Sequence, residues 1–160
     1  MAAPEQVTRT GCIACELSSG VRPLPGGRLH ESSGLVVEHC VGPLGVGTLV
    51  IKPLRHVVHV ADLDETESAA LGPLLRRTAA AVTEVIRPEQ VYVCLWSHMD
   101  REPGHIHFVV QPVTKVDMVR FEAAGPELQL AMFRAGESPG EPEVDAVCTR
   151  LRPLLADQSQ

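Results

Sequence analysis

Aromatic side chains are scarce in this chain: three Phe, one Tyr and one Trp among 160 residues, or 3%. Proteins that grip nucleic-acid strands stack successive bases on such rings. The basic surface that a polyanion requires is missing as well, because Asp and Glu outnumber Lys and Arg by 20 to 14, a formal net charge of -6. A polymeric nucleic-acid partner is therefore not expected, whereas a small nucleotide can be held by backbone donors and a few histidines. No run approaches the roughly 18 consecutive apolar residues of a membrane helix. The opening Met1-Ala2-Ala3-Pro4-Glu5-Gln6 lacks the basic and then apolar pattern of a signal peptide. No membrane partner and a cytoplasmic location are expected. The five cysteines, at 12, 15, 40, 94 and 148, are odd in number and scattered, which suits a reducing compartment and excludes a disulfide framework.

What remains is globular in composition, 44% hydrophobic and 21% charged, and its length fits one domain over 1–160. After a turn at Pro23, Pro25, Gly26 and Gly27, residues 28–32 and 34–40 predict a β-hairpin across Ser33-Gly34. A glycine-rich loop at 42–47 leads to a buried strand at 48–51, ended by Pro53. From Asp62 or Asp64 the pattern turns helical, with Leu71, Leu74, Leu75, Thr78, Val82, Val85 and Ile86 at spacings of three and four and Pro88 as the stop. Gly72-Pro73 inside this stretch predicts a kink or a late helix start. Residues 91–96 and 104–112 predict two more strands, joined by a polar loop at 97–103. The pattern weakens over 113–142, which reads as surface loop. Val144, Val147, Leu151, Leu154 and Leu155 then mark a C-terminal helix over 143–156. There is no internal repeat. Few short strands with a long central and a terminal helix predict an α+β domain on an antiparallel sheet.

Side chains alternate faces along a strand, so His105, His107 and Val109 share one face while Ile106, Phe108 and Val110 share the other. Two imidazoles on one surface are either ordinary polar residues of a solvated face or reactive groups. A neutral imidazole, with a pKa near 6.5, is a competent nucleophile toward phosphorus at neutral pH. Cys12 and Cys15 have the spacing of half a zinc site, which takes four nitrogen or sulfur ligands in a tetrahedron. A redox pair or two inert thiols fit the same spacing, although a redox Cys-x-x-Cys usually opens a helix within a βαβ pattern that this N-terminus does not show. His98 and His59 read as surface residues, and Cys40, Cys94 and Cys148 as buried apolar ones.

Taken in order, these pieces resemble the histidine triad superfamily over residues 12–112. A Cys-x-x-Cys, a glycine-led strand from Gly47 to Pro53-Leu54-Arg55-His56, an amphipathic helix, a Tyr-bearing strand and Gly104-His105-Ile106-His107-Phe108 closed by Pro112 follow the family's sequence. The resemblance implies an α+β HIT-like fold: about five antiparallel strands, a long central helix and a C-terminal helix, with an extension over 113–156. It implies a nucleotide hydrolase or nucleotidyltransferase that acts at an α-phosphate through a nucleotidyl-histidine, with His107 in the nucleophile's position. The alternative is a non-catalytic nucleotide-binding, zinc-stabilised regulatory protein. The family's triad reads His-x-His-x-His, and this chain departs from it at Val109, a substrate-site position that can neither bind phosphate by charge nor protonate a leaving group. His98 is the implied replacement as proton donor. Backbone N–H groups near Gly104 and His105, with the Ser97 hydroxyl, are the expected donors to phosphate oxygens. The family's hairpin contributes to its nucleoside pocket, which implies Leu35, Val37 and His39 as lining, with a hydrophobic core facing an equal alternative for Leu35 and Val37. Zinc ligands of the family map onto Cys12, Cys15, His56 and His105, which implies a structural Zn2+ that orients the His107 strand. The implied partners are a small nucleotide and a second copy of this chain, joined through the central helix and an edge strand.

Overall fold

Ser33 and Gly34 both adopt positive φ, 52° and 76°, as a two-residue hairpin turn requires of its central pair. In the computed structural model of the chain, which describes residues 8–98 and 102–156, this turn joins β1 (Arg28–Ser32) to β2 (Leu35–His39), after a short helix α1 (Ile13–Ser19). The remaining parts of the expected domain, and Met99, Asp100 and Arg101 of the predicted loop, lie outside the described residues. Strand β3 (Leu49–Pro53) keeps Pro53 as its last paired residue, opposite Leu35. A 3-10 turn (Val60–Asp62) leads into α2 (Glu65–Ile86).

Asp64 caps α2 by accepting from the Glu67 N–H, and Glu67 returns the bond to the Asp64 N–H. Arg87 ends the helix in the left-handed conformation, one residue before Pro88. The late start allowed for at Gly72-Pro73 does not occur: α2 begins at Glu65 and continues as one helix through Pro73. Proline deprives the Ala69 carbonyl of its N–H partner, and both residues lie on the exposed face, where water takes its place. Pro73→Ala is accordingly expected to stabilise the fold by about 1–3 kcal/mol, measured as a higher denaturant midpoint at unchanged slope. An unchanged or lowered midpoint would refute this account.

Strand β4 (Gln90–Leu95) and β5 (Phe108–Val113) complete the sheet, whose order is β1-β2-β3-β5-β4 with every pair antiparallel. The strand expected from Gly104 starts only at Phe108. Residues 104–107 stand beyond the ladder, held there by the Ile106 N–H donating to the Val57 carbonyl at 2.8 Å. The loop expected over 113–142 is mostly helical: α3 (Lys115–Phe121) and α4 (Gly125–Ala135) precede α5 (Glu141–Leu155). Their local signals are a Thr114–Asp117 capping box, Pro126 in the first turn of α4 and Gly136 at its end.

Helices α2 and α5 cover one face of the sheet, where Leu35, Val37, Leu49, Ile51 and Val110 meet Leu74, Val82, Val147 and Leu151. On the opposite face Val109 and Val113 pack with Leu128 and Met132 of α4. Helix α1 lies on that second face too, because the Lys52 ammonium donates to the Ala14 carbonyl. Between α1 and α4 the sheet stays uncovered. No helix of the described residues is long and apolar enough to cross a membrane.

Candidate functional site

The gap between α1 and α4 is a cleft of about 550 Å³, and Glu38, Val50, Lys52, His107 and Val109 contribute to its lining. Cross-strand register explains the floor. Glu38 pairs with Val50, and Val50 with Val109, so these three form one row across β2, β3 and β5 on the same face. Val109 is 3% exposed and packs into the α4 cluster, so the third position of the histidine pattern presents hydrocarbon.

At one end of the cleft Cys12, Cys15, His56 and His105 converge, with ligand atoms all within 4.8 Å of one another. Cys12 caps α1 and Cys15 lies in its first turn, so the Cys-x-x-Cys does open a helix, although no strand precedes it among the described residues. Cys15 Sγ is 3.4 Å from His56 Nδ1 and 3.5 Å from His105 Nδ1, and Cys12 Sγ is 3.8 Å from His105 Nδ1. A tetrahedral zinc ion with bonds of about 2.3 Å to sulfur and 2.0–2.1 Å to nitrogen would separate its ligand atoms by roughly 3.3–3.8 Å. The cluster fits that ion in donor type and spacing. His105 Nε2 lies 2.9 Å from the Pro53 carbonyl. A carbonyl only accepts, so Nε2 carries the proton and the Nδ1 lone pair faces the thiols, as a ligand's must. Burial is the main cause that pushes His105 down to about 4, keeping the ring neutral. Burial also lowers His56, assisted by the charge of Arg9, and raises the Cys15 thiol, so metal binding there must displace a proton.

His107 Nδ1 is 3.1 Å from the His105 carbonyl. By the same reasoning Nδ1 bears a proton, and Nε2 has no hydrogen-bond partner among the described residues.

The other expected site residues are placed differently. Ser97 lines the cleft, while His98 is exposed and does not. The Gly104 N–H donates to the Ser97 carbonyl at 2.7 Å and is therefore spent. A Cβ on Gly104 would stand 3.1 Å from that carbonyl oxygen, so glycine permits the close turn. Leu35 and Val37 face the α2/α5 core, on the side away from the cleft. Cys148 is buried as expected, but Cys40 and Cys94 are only half-buried.

His39 reaches the cleft wall with both nitrogens engaged, accepting from the Gly47 N–H at Nε2 (2.9 Å) and donating from Nδ1 to the Cys40 carbonyl (2.8 Å). Burial holds its pKa below the usual value of 6.5. Protonation would turn a second N–H against that of Gly47. The native state thus resists a proton that the unfolded chain accepts, and stability falls as pH drops below about 6.5 toward the native pKa. His39→Asn is expected to lessen that fall by at most about 1.4 kcal/mol per pH unit, the share of one proton. Equal slopes of unfolding free energy between pH 6.5 and 5 in the two proteins would sink this account.

Sequence reasoning missed the ion pair in the floor. Glu38 is 1% and Lys52 2% exposed, with Lys52 Nζ 2.6 Å from Glu38 Oε2 and donating to the Ala14 carbonyl at 3.0 Å. Charged residues within the apolar runs of β2 and β3 were the available signal.

No protein-family profile and no curated protein matches the sequence. Solved structures do resemble it. A HIT-like protein involved in cell-cycle regulation from Bartonella henselae superimposes with a TM-score of 0.69 at 14% identity, over 94% of this chain and 100% of that one. A Zn-bound histidine triad family protein from Mycobacterium smegmatis gives 0.64 at 20% identity, over 91% and 93%. A hypothetical histidine triad nucleotide-binding protein from Sulfolobus tokodaii gives 0.67 at 12% identity, over 90% and 91%. With five antiparallel strands, the long α2 behind them and the terminal α5 beside it, this chain has the histidine triad fold.

Proposed function

We propose that the chain belongs to the histidine triad family and is a nucleotide hydrolase or nucleotidyltransferase acting at the α-phosphate, with His107 as nucleophile. The observation that carries this reading is the hydrogen bond from His107 Nδ1 to the His105 carbonyl, which leaves Nε2 as a lone-pair donor on the cleft. The Nε2–P bond forms as the P–O bond to the leaving group breaks, and the leaving group takes the electron pair. Water or a second acceptor then forms a new P–O bond and gives its proton to the group that protonated the leaving group, while the N–P bond breaks with its electron pair returning to Nε2 as the neutral imidazole. The Ser97 hydroxyl is the donor we assign to the phosphate oxygens, and His98, in the adjoining loop, the proton donor.

Cys12, Cys15, His56 and His105 are assigned to a structural Zn2+, which supplies a cross-link between α1 and the segment ending at His107. The Zn-bound neighbour of the same fold supports this assignment. A second copy of the chain is assigned to the open edge of β4, where Val93 is half exposed, together with the adjoining part of α2.

One observation favours a second reading, nucleotide binding without turnover: Val109 puts hydrocarbon where a proton donor is wanted. Incubation with nucleotides radiolabelled at the α-phosphate decides between them. The enzyme reading expects label bound to protein through a bond stable in alkali and lost in mild acid. Tight binding with neither adduct nor turnover would establish the second.

A further inference from the structure

A buried ion pair in the floor of a cleft is an expensive feature, because both charges lose water and only good geometry offsets the loss. The geometry here is incomplete. Lys52 Nζ stands 2.6 Å from Oε2, the distance of a charge-assisted hydrogen bond, whereas Oε1 has only the Arg28 Nε at 4.0 Å, beyond hydrogen-bond reach. Lys52 is better supplied, with the Ala14 carbonyl as acceptor. The floor therefore holds an anchored, buried carboxylate with one oxygen, Oε1, short of a donor.

We infer that Glu38 is a specificity-determining residue that accepts a hydrogen bond from an N–H or O–H donor on the nucleoside part of the bound ligand. The inference rests on the nucleotide reading proposed above, and position supports it. Glu38 shares the row of Val50 and Val109, and His107 lies two residues before Val109. Two strand spacings of about 4.8 Å and two residues of about 3.3 Å put their Cα atoms roughly 12 Å apart, the scale of a nucleoside monophosphate from phosphorus to base. With the phosphate at His107, the nucleoside extends along the floor toward Glu38. A carboxylate only accepts, so a ligand lacking a donor at that point leaves a buried acceptor oxygen unsatisfied, and a site of this kind discriminates strongly. Lys52 is a positioning residue, fixing the carboxylate between β2 and α1.

Calorimetric titration of the purified chain with nucleoside monophosphates tests the assignment. Guanosine against inosine monophosphate removes one amino group, adenosine against purine riboside monophosphate removes another, and ribo- against 2′-deoxyribonucleotides removes a hydroxyl. The wild type is expected to favour the donor-bearing member of at least one pair by about 10- to 100-fold. Glu38→Gln is expected to collapse that ratio to within about threefold. Because Glu38→Gln leaves Lys52 unpaired, the double variant Glu38→Leu with Lys52→Met, which removes both charges, repeats the measurement in a floor without charge. Nucleotide binding with the ratio intact in either folded variant, or with no ratio in the wild type, overturns the role of Glu38 alone. Failure of every nucleotide to bind the wild type overturns the nucleotide reading as well.

Discussion

Replacement of His107 by alanine is expected to abolish the covalent nucleotide adduct and to lower turnover by roughly 10^4-fold or more, the scale on which enzymes lose rate when a nucleophile is removed. The size follows from the mechanism: without Nε2 there is no N–P bond, and only the binding energy of the cleft remains. The structure makes this a clean substitution. His107 is half-buried, and its side chain makes one hydrogen bond among the described residues, to the His105 carbonyl, so its loss costs the fold little. The metal cluster keeps all four of its side chains. Melting temperature and zinc content should therefore match the wild type while the adduct disappears. An adduct that survives His107→Ala would move the nucleophile elsewhere, and turnover within tenfold of the wild type would remove the intermediate altogether.

The second large effect belongs to the metal cluster. Cys15 is buried between the two imidazoles, and Cys12 and Cys15 both sit at the start of α1. A bound ion thus joins four side chains from α1, the loop after β3 and the segment before β5. An ion present at about 1,000 times its dissociation constant stabilises the native state by about 4 kcal/mol. For a chain of this size that corresponds to roughly 8–16 °C in melting temperature. Chelation of the wild type, and Cys15→Ser without chelator, should each cost about that much. Chelator should then have no further effect on Cys15→Ser, because the two treatments remove the same interaction. Zinc well below one equivalent per chain in wild-type protein, or a melting temperature indifferent to chelation, would refute the four-ligand assignment.

The parts of the fold that could be read from the chain are those decided within a few residues. Ser33-Gly34 dictates its turn because two successive residues must adopt positive φ. Asp64 and Glu67 mark the start of α2, since each satisfies a backbone donor of the other. The apolar stripe of α5 is continuous enough to predict the helix within two residues. Helices α3 and α4 escaped the same reading because they are short, and because α3 leaves Val116 and Val119 exposed, which blurs its polar face. Pro73 misled for the opposite reason. Its local penalty is real, but the packing of a 22-residue helix outweighs it.

The candidate site divides along the same line. His-x-His was visible as a pattern, and family resemblance named the four metal-binding candidates, but Cys15 lies 41 residues from His56 and 90 from His105. Spacing alone cannot bring such residues together, because their approach depends on how α1 seats against the sheet. The sequence by itself determined the strands, the caps, the alternation that puts His107 and Val109 on one face, and the acidic, aromatic-poor composition. Tertiary structure alone decided that His39 spends both nitrogens on Gly47 and Cys40, that Leu35 and Val37 turn from the cleft, and that Glu38 meets Lys52 in its floor. Caps, turns and alternation are settled by neighbours in the chain. Which lone pair stays free, and which carboxylate meets which ammonium, is settled by strand register and by the helices laid over it.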